Sequence, residues 1–438
     1  MKKNEYSKDN RSSLKTFLVL WSTQSLSQLG SQMTNFALTL WLYQKTGSAL
    51  QTALLSICSY APYVLMSIFA GALSDRWDKK KVMLCSDTFA ACATIAVLVF
   101  LKMDMLCPTF LYVLNAVNGL MNTIQQPASD VAMTLITPKE AYQKTSALRS
   151  LSQSLVTILH PVFATALFAA AGMDVVILVD LTTFVIAFLA LLVGVQIPKA
   201  REEDASNGAK EPLLAASKAG LHYLKKNPVI LYLILFLAGV NLVASAFDAT
   251  LPAYVLPRAN GGEKILGIVT SCAGVATLLG SLIALILPKP ANRIRIITGT
   301  MLFSLTIENF MLAFTREPVL WCIGQILGWL VVPIMSSNLD VILRSTIPVE
   351  MQGRVYSCRN TLQFFTIPIG FLLGGWLVDQ VLEPFMEVNR NTIWLTACFG
   401  TGKGSGAAVM MLILGISGAA VSIIFGILLR KYRFEEVA

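Results

Sequence analysis

Histidine is scarce in this chain: only His160 and His222 occur among its 438 residues. A metal site built on imidazole ligands is therefore not expected. Eight cysteines are present, but no two are spaced as Cys-x-x-Cys, and most lie inside apolar runs. Cysteines in that setting are typical of small core residues, not of disulfides or metal ligands. No cofactor is expected.

Charge is scarce as well. Charged residues make up 13% of the chain and hydrophobic residues 55%, whereas roughly a quarter of a soluble domain is charged. The formal net charge of +9 is compatible with nucleic-acid binding, but the basic residues lie in segments that flank apolar runs. Bilayer topology explains that placement better. We therefore expect the chain to lie in a lipid bilayer, and we do not expect it to bind nucleic acid.

The beginning of the chain lacks the pattern of a cleavable signal peptide, which is a clean apolar core followed by small residues. The first 16 residues are polar, and the apolar segment after them is interrupted by Gln24, Gln28 and Asn35. We therefore expect the first apolar segment to be retained as a helix.

Long apolar runs dominate the rest of the sequence, and a run of about 20 residues spans a bilayer as a helix. The predicted fold class is an all-α membrane protein with twelve transmembrane helices in two six-helix halves. The runs lie near residues 17–43, 49–73, 83–101, 108–136, 146–170, 174–196, 229–252, 264–288, 294–315, 318–346, 354–382 and 407–430. The predicted regions are a tail (1–16), a bundle (17–197), a linker (198–228), a second bundle (229–430) and a tail (431–438).

Lysine and arginine orient these spans. The loops on one side of the membrane hold only seven of the 34 basic residues, namely Lys45, Lys102, Arg258, Lys264, Arg316, Arg390 and Lys403. The excess on the other side predicts that both termini are cytoplasmic. In the linker, Leu213, Leu214, Leu221 and Leu224 fall near helical spacing, which predicts an amphipathic helix on the inner membrane surface.

The two halves repeat at an offset of 210 residues. Asp130 corresponds to Asp340 and Arg149 to Arg359, and four further matches are Pro138 with Pro348, Glu140 with Glu350, Lys144 with Arg354 and Gln153 with Gln363. Parallel six-helix repeats are one recognised transporter architecture, in which the substrate binds between the halves near mid-membrane.

Polar side chains recur at steps of three and four along spans one, four, seven and ten, which places them on one face of each helix. Amides that faced lipid would lose their hydrogen bonds, so these faces line either protein or water. Helix–helix hydrogen bonding is the alternative to a central cavity. The candidate substrate-binding residues are Trp21, Gln24, Gln28, Asn35, Asn118, Asn122, Gln126, Asn241, Ser245, Gln325 and Trp329.

Carboxylates inside spans are costly, at about 2.5–3.5 kcal/mol for a charge at the bilayer centre. Asp130 and Asp340 each precede a proline at the cytoplasmic boundary by eight residues, close enough to pair with basic loop residues. Asp248 and Glu308 have no evident partner in their own helices and are the candidates for proton coupling. A neutral or hydrogen-bonded structural acid is the alternative for each.

A dense charge cluster, Gly71-Ala72-Leu73-Ser74-Asp75-Arg76-Trp77-Asp78-Lys79-Lys80-Lys81, separates spans two and three. An ordinary positive-inside loop would need the lysines but not the glycine and the aspartates.

A second motif, Gly400-Thr401-Gly402-Lys403-Gly404-Ser405, is similar to a phosphate-binding loop. Its lysine is not followed by serine or threonine and its spacer is wrong, so we interpret it as a flexible outer turn.

With this loop signature, twelve spans and a six-plus-six repeat, the chain resembles the major facilitator superfamily over almost its whole length. The motifs Thr46-Gly47-Ser48-Ala49, Asp180 followed by Phe184, Gly220-x-x-Tyr223-Leu224-x-x-Asn227-Pro228 and Gly353-Arg354-Val355-Tyr356-Ser357 resemble its macrolide-efflux-type drug:proton antiporter branch. The arginine that the family often carries in span four is replaced by Asn115.

The resemblance implies alternating access, exchange with protons and export of amphiphilic compounds by a monomer. It implies that Asp75 caps the start of span eleven near Arg354 and Arg359, and that Lys79 pairs with Asp130. The residues of this expected cytoplasmic latch are Gly71, Asp75, Arg76, Asp78, Lys79, Asp130, Asp340, Arg354 and Arg359.

Two rival hypotheses remain. The same fold could export an endogenous siderophore, peptide or lipid. Alternatively, the chain could be an intramembrane enzyme or a transport-inactive receptor. An enzyme would need a Ser-His pair, paired aspartates or a metal site inside the membrane, and His160 has no evident partner for such a role. We expect a transporter and not an enzyme.

Overall fold

The structure is a computed structural model that describes residues 2–76, 78–138, 141–196 and 213–430. Among these, the side chains of residues 2–13, 67–76, 143, 213–218, 349, 350, 353 and 357 are not described. All regular structure in the described residues is helical, as apolar runs of spanning length require in a bilayer, where every backbone polar group must find a partner within its own segment.

In the first half of the chain, the helices follow the predicted limits for spans two to four, but the first helix begins inside the predicted polar tail, and the fifth and sixth spans form one helix. The helices are α1 (Lys2–Thr46), α2 (Ala49–Arg76), α3 (Lys79–Lys102), α4 (Pro108–Ile136) and α5 (Tyr142–Leu189), which continues as a π-helical turn over Ala190–Gly194. The helix α3 begins where the Asp78 carboxylate accepts a hydrogen bond from the backbone N–H of Lys81 at 3.0 Å. A carboxylate at this position satisfies a free N–H and complements the helix dipole.

In the second half, two of the predicted spans, ten and eleven, are divided into shorter helices. The helices are α6 (Leu213–Lys226), α7 (Pro228–Val255), α8 (Glu263–Ile286), α9 (Arg293–Phe314), α10 (Pro318–Leu330), α11 (Val332–Thr346), α12 (Val349–Phe364), α13 (Thr366–Leu377), α14 (Glu383–Val388), α15 (Ile393–Phe399) and α16 (Ser405–Leu429), with a π-helical turn over Val378–Leu382. Predicted span ten is α10 and α11, interrupted at Val331, two residues before Pro333, which lacks an N–H to donate.

Nine described stretches are long and apolar enough to cross a membrane, judged by length and composition. One of them, Lys144–Gly194, holds both the fifth and the sixth predicted span. The first and fourth spans are the long helices α1 and α4, but their glutamines and asparagines lower the mean hydropathy. The all-α membrane fold class predicted from the sequence is confirmed.

The chain divides into two compact units, Met1–Leu38 with Cys58–Leu213, and Thr39–Ile57 with Leu214–Ala438. The outer ends of the first two helices therefore belong to the second unit. The core of the first unit includes Phe17, Leu20 and Met83, which are fully buried together. In the second unit, α16 packs on α7 and α9, and α13 packs on α7.

The predicted linker helix is present as α6, and one face of it packs on protein. Leu224 is fully buried, and the Tyr223 hydroxyl donates a hydrogen bond to the Thr346 carbonyl oxygen at 3.0 Å. A Cβ atom on Gly220 would lie 2.6 Å from the Arg354 carbonyl oxygen. Helix α6 is thus held against the inner ends of α11 and α12, while the linker residues before it lie outside the described residues.

Spans five and six are joined within α5 at Gly172, whose φ of 79° and ψ of 178° lie in a region that is essentially restricted to glycine. We predict that Gly172→Ala lowers the free energy of unfolding by about 1–3 kcal/mol. Nothing lies within 4 Å of an added Cβ there, so the cost is conformational. The measurement is thermal unfolding in detergent.

The matched control for this prediction is Gly194→Ala, where an added Cβ also meets nothing within 4 Å and φ is not positive. This variant should unfold at the wild-type temperature or slightly above it. Equal losses of stability in both variants would contradict the conformational explanation.

Candidate functional site

In the first unit, the polar face of α1 binds α5. The Trp21 indole N–H lies 3.2 Å from both the Leu148 carbonyl oxygen and the Ser152 hydroxyl. The Gln28 amide donates to the Gln153 side-chain oxygen at 3.3 Å. For Trp21 and Gln28 these contacts are helix–helix hydrogen bonds, the alternative that the sequence left open.

The polar face of α4 is divided between buried and exposed positions. Asn115 is 6% exposed, and the Asn118 side-chain oxygen is buried with no hydrogen-bond partner among the described residues. Asn122 and Gln126 are exposed. Because an amide that faces lipid loses its hydrogen bonds, the positions of Asn122 and Gln126 suit contact with water or with a polar ligand.

Charged residues occupy corresponding positions of the internal repeat. Asp130 on α4 pairs with Arg149 on α5 in the first unit. In the second unit, the guanidinium of the equivalent Arg359 donates to the Gln363 side-chain oxygen at 3.1 Å. The two halves thus place a carboxylate and a guanidinium at corresponding positions.

Two other acids of the first unit have neutral partners. Asp87 accepts a hydrogen bond from the Gln125 amide at 2.5 Å. Asp180, which is 4% exposed, accepts one from the Ser31 hydroxyl at 3.0 Å. Both contacts join different helices, so these acids contribute to packing within the unit.

In the second unit, α7 is held closely to α12 and α13. The Asn241 amide donates to the Gln363 carbonyl oxygen at 3.1 Å. Ser245 is 4% exposed and donates to its own helix at the Asn241 carbonyl oxygen, 2.6 Å away. A Cβ atom on Gly370 would lie 2.0 Å from the Ser245 hydroxyl oxygen. This part of the predicted substrate face is therefore occupied by helix packing.

The most unusual group in the second unit is Glu308 on α9, which is 5% exposed. Its carboxylate accepts a hydrogen bond from the Trp329 indole N–H of α10 at 3.1 Å. A Cβ atom on Gly328 would lie 2.7 Å from a Glu308 carboxylate oxygen, so only glycine leaves room for the acid. The sequence predicted Glu308 and Trp329 separately and did not predict that they bind each other.

Further polar groups on the same helices are buried without partners. The Gln325 side-chain nitrogen and the Asn309 side-chain oxygen have no hydrogen-bond partner among the described residues, and each residue is 1% exposed. Asp248 on α7, the other candidate for proton coupling, is exposed. Unpaired buried polar atoms cost about 1–3 kcal/mol each, so Gln325 and Asn309 add unsatisfied polarity to the two helices that hold Glu308 and Trp329.

Most of the predicted cytoplasmic latch remains a prediction. Gly71, Asp75 and Arg76 lie outside the described side chains. Asp78 caps α3, and the Arg354 guanidinium contacts the Met351 sulfur at 3.8 Å.

Sequence reasoning missed Lys80, whose ammonium group donates to the Leu192 and Val195 carbonyl oxygens at 2.9 and 2.7 Å. A cation at the end of a helical segment complements its dipole. A run of three lysines in sequence did not distinguish which of them has this role.

An apolar cavity of about 280 Å³ lies in the first unit between α1 and the two parts of α5. Its lining side chains are Leu26, Leu29, Met33, Phe163, Ala166, Leu167, Val179 and Thr183, together with Gly30. None of the predicted substrate-binding residues lines it. Among the described residues, no three His, Cys, Asp or Glu side chains come together as a set of metal ligands.

The comparisons with known proteins agree with this architecture. Nucleoside transporter NupG superposes with a TM-score of 0.71 at 12% identity, covering 95% of this chain and all (100%) of that one. At that identity, the likeness shows the fold alone.

Two curated relatives are similar in sequence. Macrolide efflux protein A of Streptococcus pyogenes is 25% identical over 369 residues, which is 83% of this chain and 90% of the relative. Multidrug efflux pump Tap of Mycolicibacterium fortuitum is 25% identical over 348 residues, 77% of this chain and 83% of the relative.

The family model of the Major Facilitator Superfamily matches residues 20–370, which is most of the chain. Members of this family are transporters and not enzymes, and they act on small molecules. Together with the membrane-spanning helices and the bacterial relatives, the match shows that this chain is a multi-pass transporter of the bacterial cell membrane that belongs to the Major Facilitator Superfamily.

Proposed function

We propose that this transporter exports amphiphilic small molecules of the drug or macrolide class by alternating access, in exchange for protons. The observation that carries the proposal is the buried Glu308 carboxylate held by the Trp329 indole. It joins an acid that can carry a proton to a residue on the predicted substrate face. The names of the two curated relatives, which mention macrolide and multidrug efflux, support the substrate class.

The proposed division of labour follows from chemistry. Trp329 on α10 offers apolar surface with one hydrogen-bonding group, a combination typical of small-molecule sites. Glu308 and Asp248 are the proposed proton carriers, since each lies in a span without a basic partner among the contacts of the described residues. Proton release and substrate binding would be linked where Trp329 contacts Glu308.

The experiment is substrate uptake into proteoliposomes whose lumen is more acidic than the bath. Antiport predicts that protons leave the lumen while a macrolide accumulates there from the bath, and that a proton–potassium exchanger collapses the accumulation. Protein-free liposomes correct for passive partitioning. Acidification-driven uptake of a siderophore, peptide or lipid, with no macrolide uptake, would overturn the substrate class. Macrolide uptake that is equal with and without the pH gradient would overturn the proposal of proton exchange.

A further inference from the structure

At the predicted outer end of the second unit, the Asp379 carboxylate binds the beginning of α2. It accepts hydrogen bonds from the backbone N–H groups of Ala49 and Leu50 at 3.0 and 2.8 Å, and from the Ser48 hydroxyl at 2.5 Å. The Ser48 oxygen in turn accepts from the N–H of Gln51 at 3.1 Å. The first three N–H groups of α2, which have no partner inside the helix, are therefore all bonded.

This contact is supported by close packing. A Cβ atom on Gly375 would lie 2.7 Å from the Cα of Leu50 and 2.9 Å from the Cβ of Ala53, so the backbones of α2 and α13 approach closely. One helical turn further in, Ala53 packs with Ala249 and Phe371 in a buried cluster that Ile57 flanks.

A second bond joins the same outer segment to another helix of the unit: the Gln44 amide at the end of α1 donates to the Glu263 carboxylate at the start of α8. The segment Thr39–Ile57 thus belongs to the second unit through several independent contacts.

We propose that Asp379 is an outer gating residue of the transport cycle: its carboxylate holds the start of α2 on the outer end of span eleven, and this bond must break when the outer ends separate. The proposal rests on the alternating access proposed above and on no particular substrate. By sequence, residues 39–57 belong to the first six-helix half, which moves against the second half in alternating access. Asp379 belongs to the second half, yet its carboxylate holds residues 39–57.

The chemistry suits a latch that opens reversibly. A carboxylate at a helix start forms charge-assisted hydrogen bonds, which are stronger than neutral ones. It also gains from the helix dipole. Both gains are lost on separation, and water then solvates the carboxylate and the freed N–H groups, so opening leaves no buried unpaired charge.

The test is labelling of an introduced cysteine, Ile57→Cys, by a membrane-impermeant maleimide applied from outside. Ile57 lies eight residues into α2, about 12 Å below its outer end at the rise of an α-helix. Cysteine is smaller than isoleucine and fits the site. Cys58, Cys107, Cys272, Cys322 and Cys398 are replaced by serine to lower the background.

We expect Asp379→Asn to raise the labelling rate roughly tenfold, since a hydrogen bond to a charged group contributes about 1.5–3 kcal/mol and 1.4 kcal/mol is a factor of ten. Ser48→Ala should raise it roughly threefold, as expected for one weaker hydrogen bond. If Asp379→Asn is not monodisperse, Ser48→Ala decides the question.

The matched control is Glu383→Gln. Glu383 is also a carboxylate near the outer end of span eleven, but it accepts from the N–H groups of Gly404 and Ala407 at 2.9 and 3.3 Å, which belong to the same half of the sequence. It should leave labelling unchanged. No increase in the Asp379 and Ser48 variants, or an equal increase in the Glu383 variant, overturns the proposal. Labelling requires neither substrate nor proton gradient, so its outcome is independent of the proposed substrate class.

Discussion

Glu308→Gln is expected to reduce uptake driven by a pH gradient to that of protein-free liposomes, a loss of tenfold or more, equivalent to at least about 1.4 kcal/mol. Glutamine has nearly the same shape and still accepts a hydrogen bond from Trp329, but it cannot carry a proton. The substrate face is left intact. Exchange of labelled for unlabelled substrate without a gradient should therefore continue near the wild-type rate.

A variant that loses gradient-driven uptake but keeps substrate exchange has lost proton coupling and kept substrate binding. Asp248→Asn is the companion variant, because Asp248 is the other proposed proton carrier. Glu317→Gln is the control: this glutamate is exposed just before α10, and its side chain does not cap the helix. Wild-type accumulation in both the Glu308 and the Asp248 variants would refute the assignment of the proton carriers.

Trp329→Phe tests the contact itself. Phenylalanine keeps an aromatic ring next to Glu308 but removes the indole N–H that donates at 3.1 Å. A hydrogen bond to a charged group contributes about 1.5–3 kcal/mol, so substrate affinity should lose most of its dependence on pH if this bond links binding to proton release. Trp321→Phe is the matched control, because the Trp321 indole donates instead to the Thr315 carbonyl oxygen at 3.2 Å. An unchanged pH dependence in Trp329→Phe would contradict the link.

Features that depend on local sequence could be predicted. The limits of the helices follow from apolar length and from residues such as Asp78 and Gly172, whose effects act within a few positions. The repeat predicted corresponding charges in the two halves, and the structure pairs Asp130 with Arg149. Even here, the resemblance to the family assigned Lys79 as the partner of Asp130, which remains untested.

Contacts that depend on how helices are rotated against each other could not be predicted. Glu308 and Trp329 are 21 residues apart and Ser48 and Asp379 are 331 apart. Nothing in either local sequence indicates which face meets which. The polar face of α1 shows the same difficulty. The spacing of its residues correctly places Trp21 and Gln28 on one side of the helix, but it does not predict that this side binds α5.

Gly280→Ala is expected to destabilise the second unit and to reduce transport. A Cβ atom on Gly280 would lie 2.0 Å from the Leu330 carbonyl oxygen and 3.2 Å from the Pro333 ring. Both positions flank the interruption of span ten at Val331, so the backbone must shift to make room. Overpacking costs about 1–3 kcal/mol, and a shift of Leu330 also moves the adjacent Trp329 away from Glu308.

The control for this variant is Gly299→Ala on α9, where an added Cβ meets nothing within 4 Å and φ is not positive. Alanine in a helix interior is favoured over glycine by about 0.5–1 kcal/mol, so Gly299→Ala should be as stable as the wild type or more so, with full transport. The measurement is the fraction of monodisperse protein after heating in detergent, beside uptake by the same preparations. If Gly280→Ala keeps wild-type stability and transport, the close contact between α8 and the end of α10 does not position Trp329. If it folds well but loses gradient-driven uptake, the position of the indole, and not the stability of the unit, limits coupling.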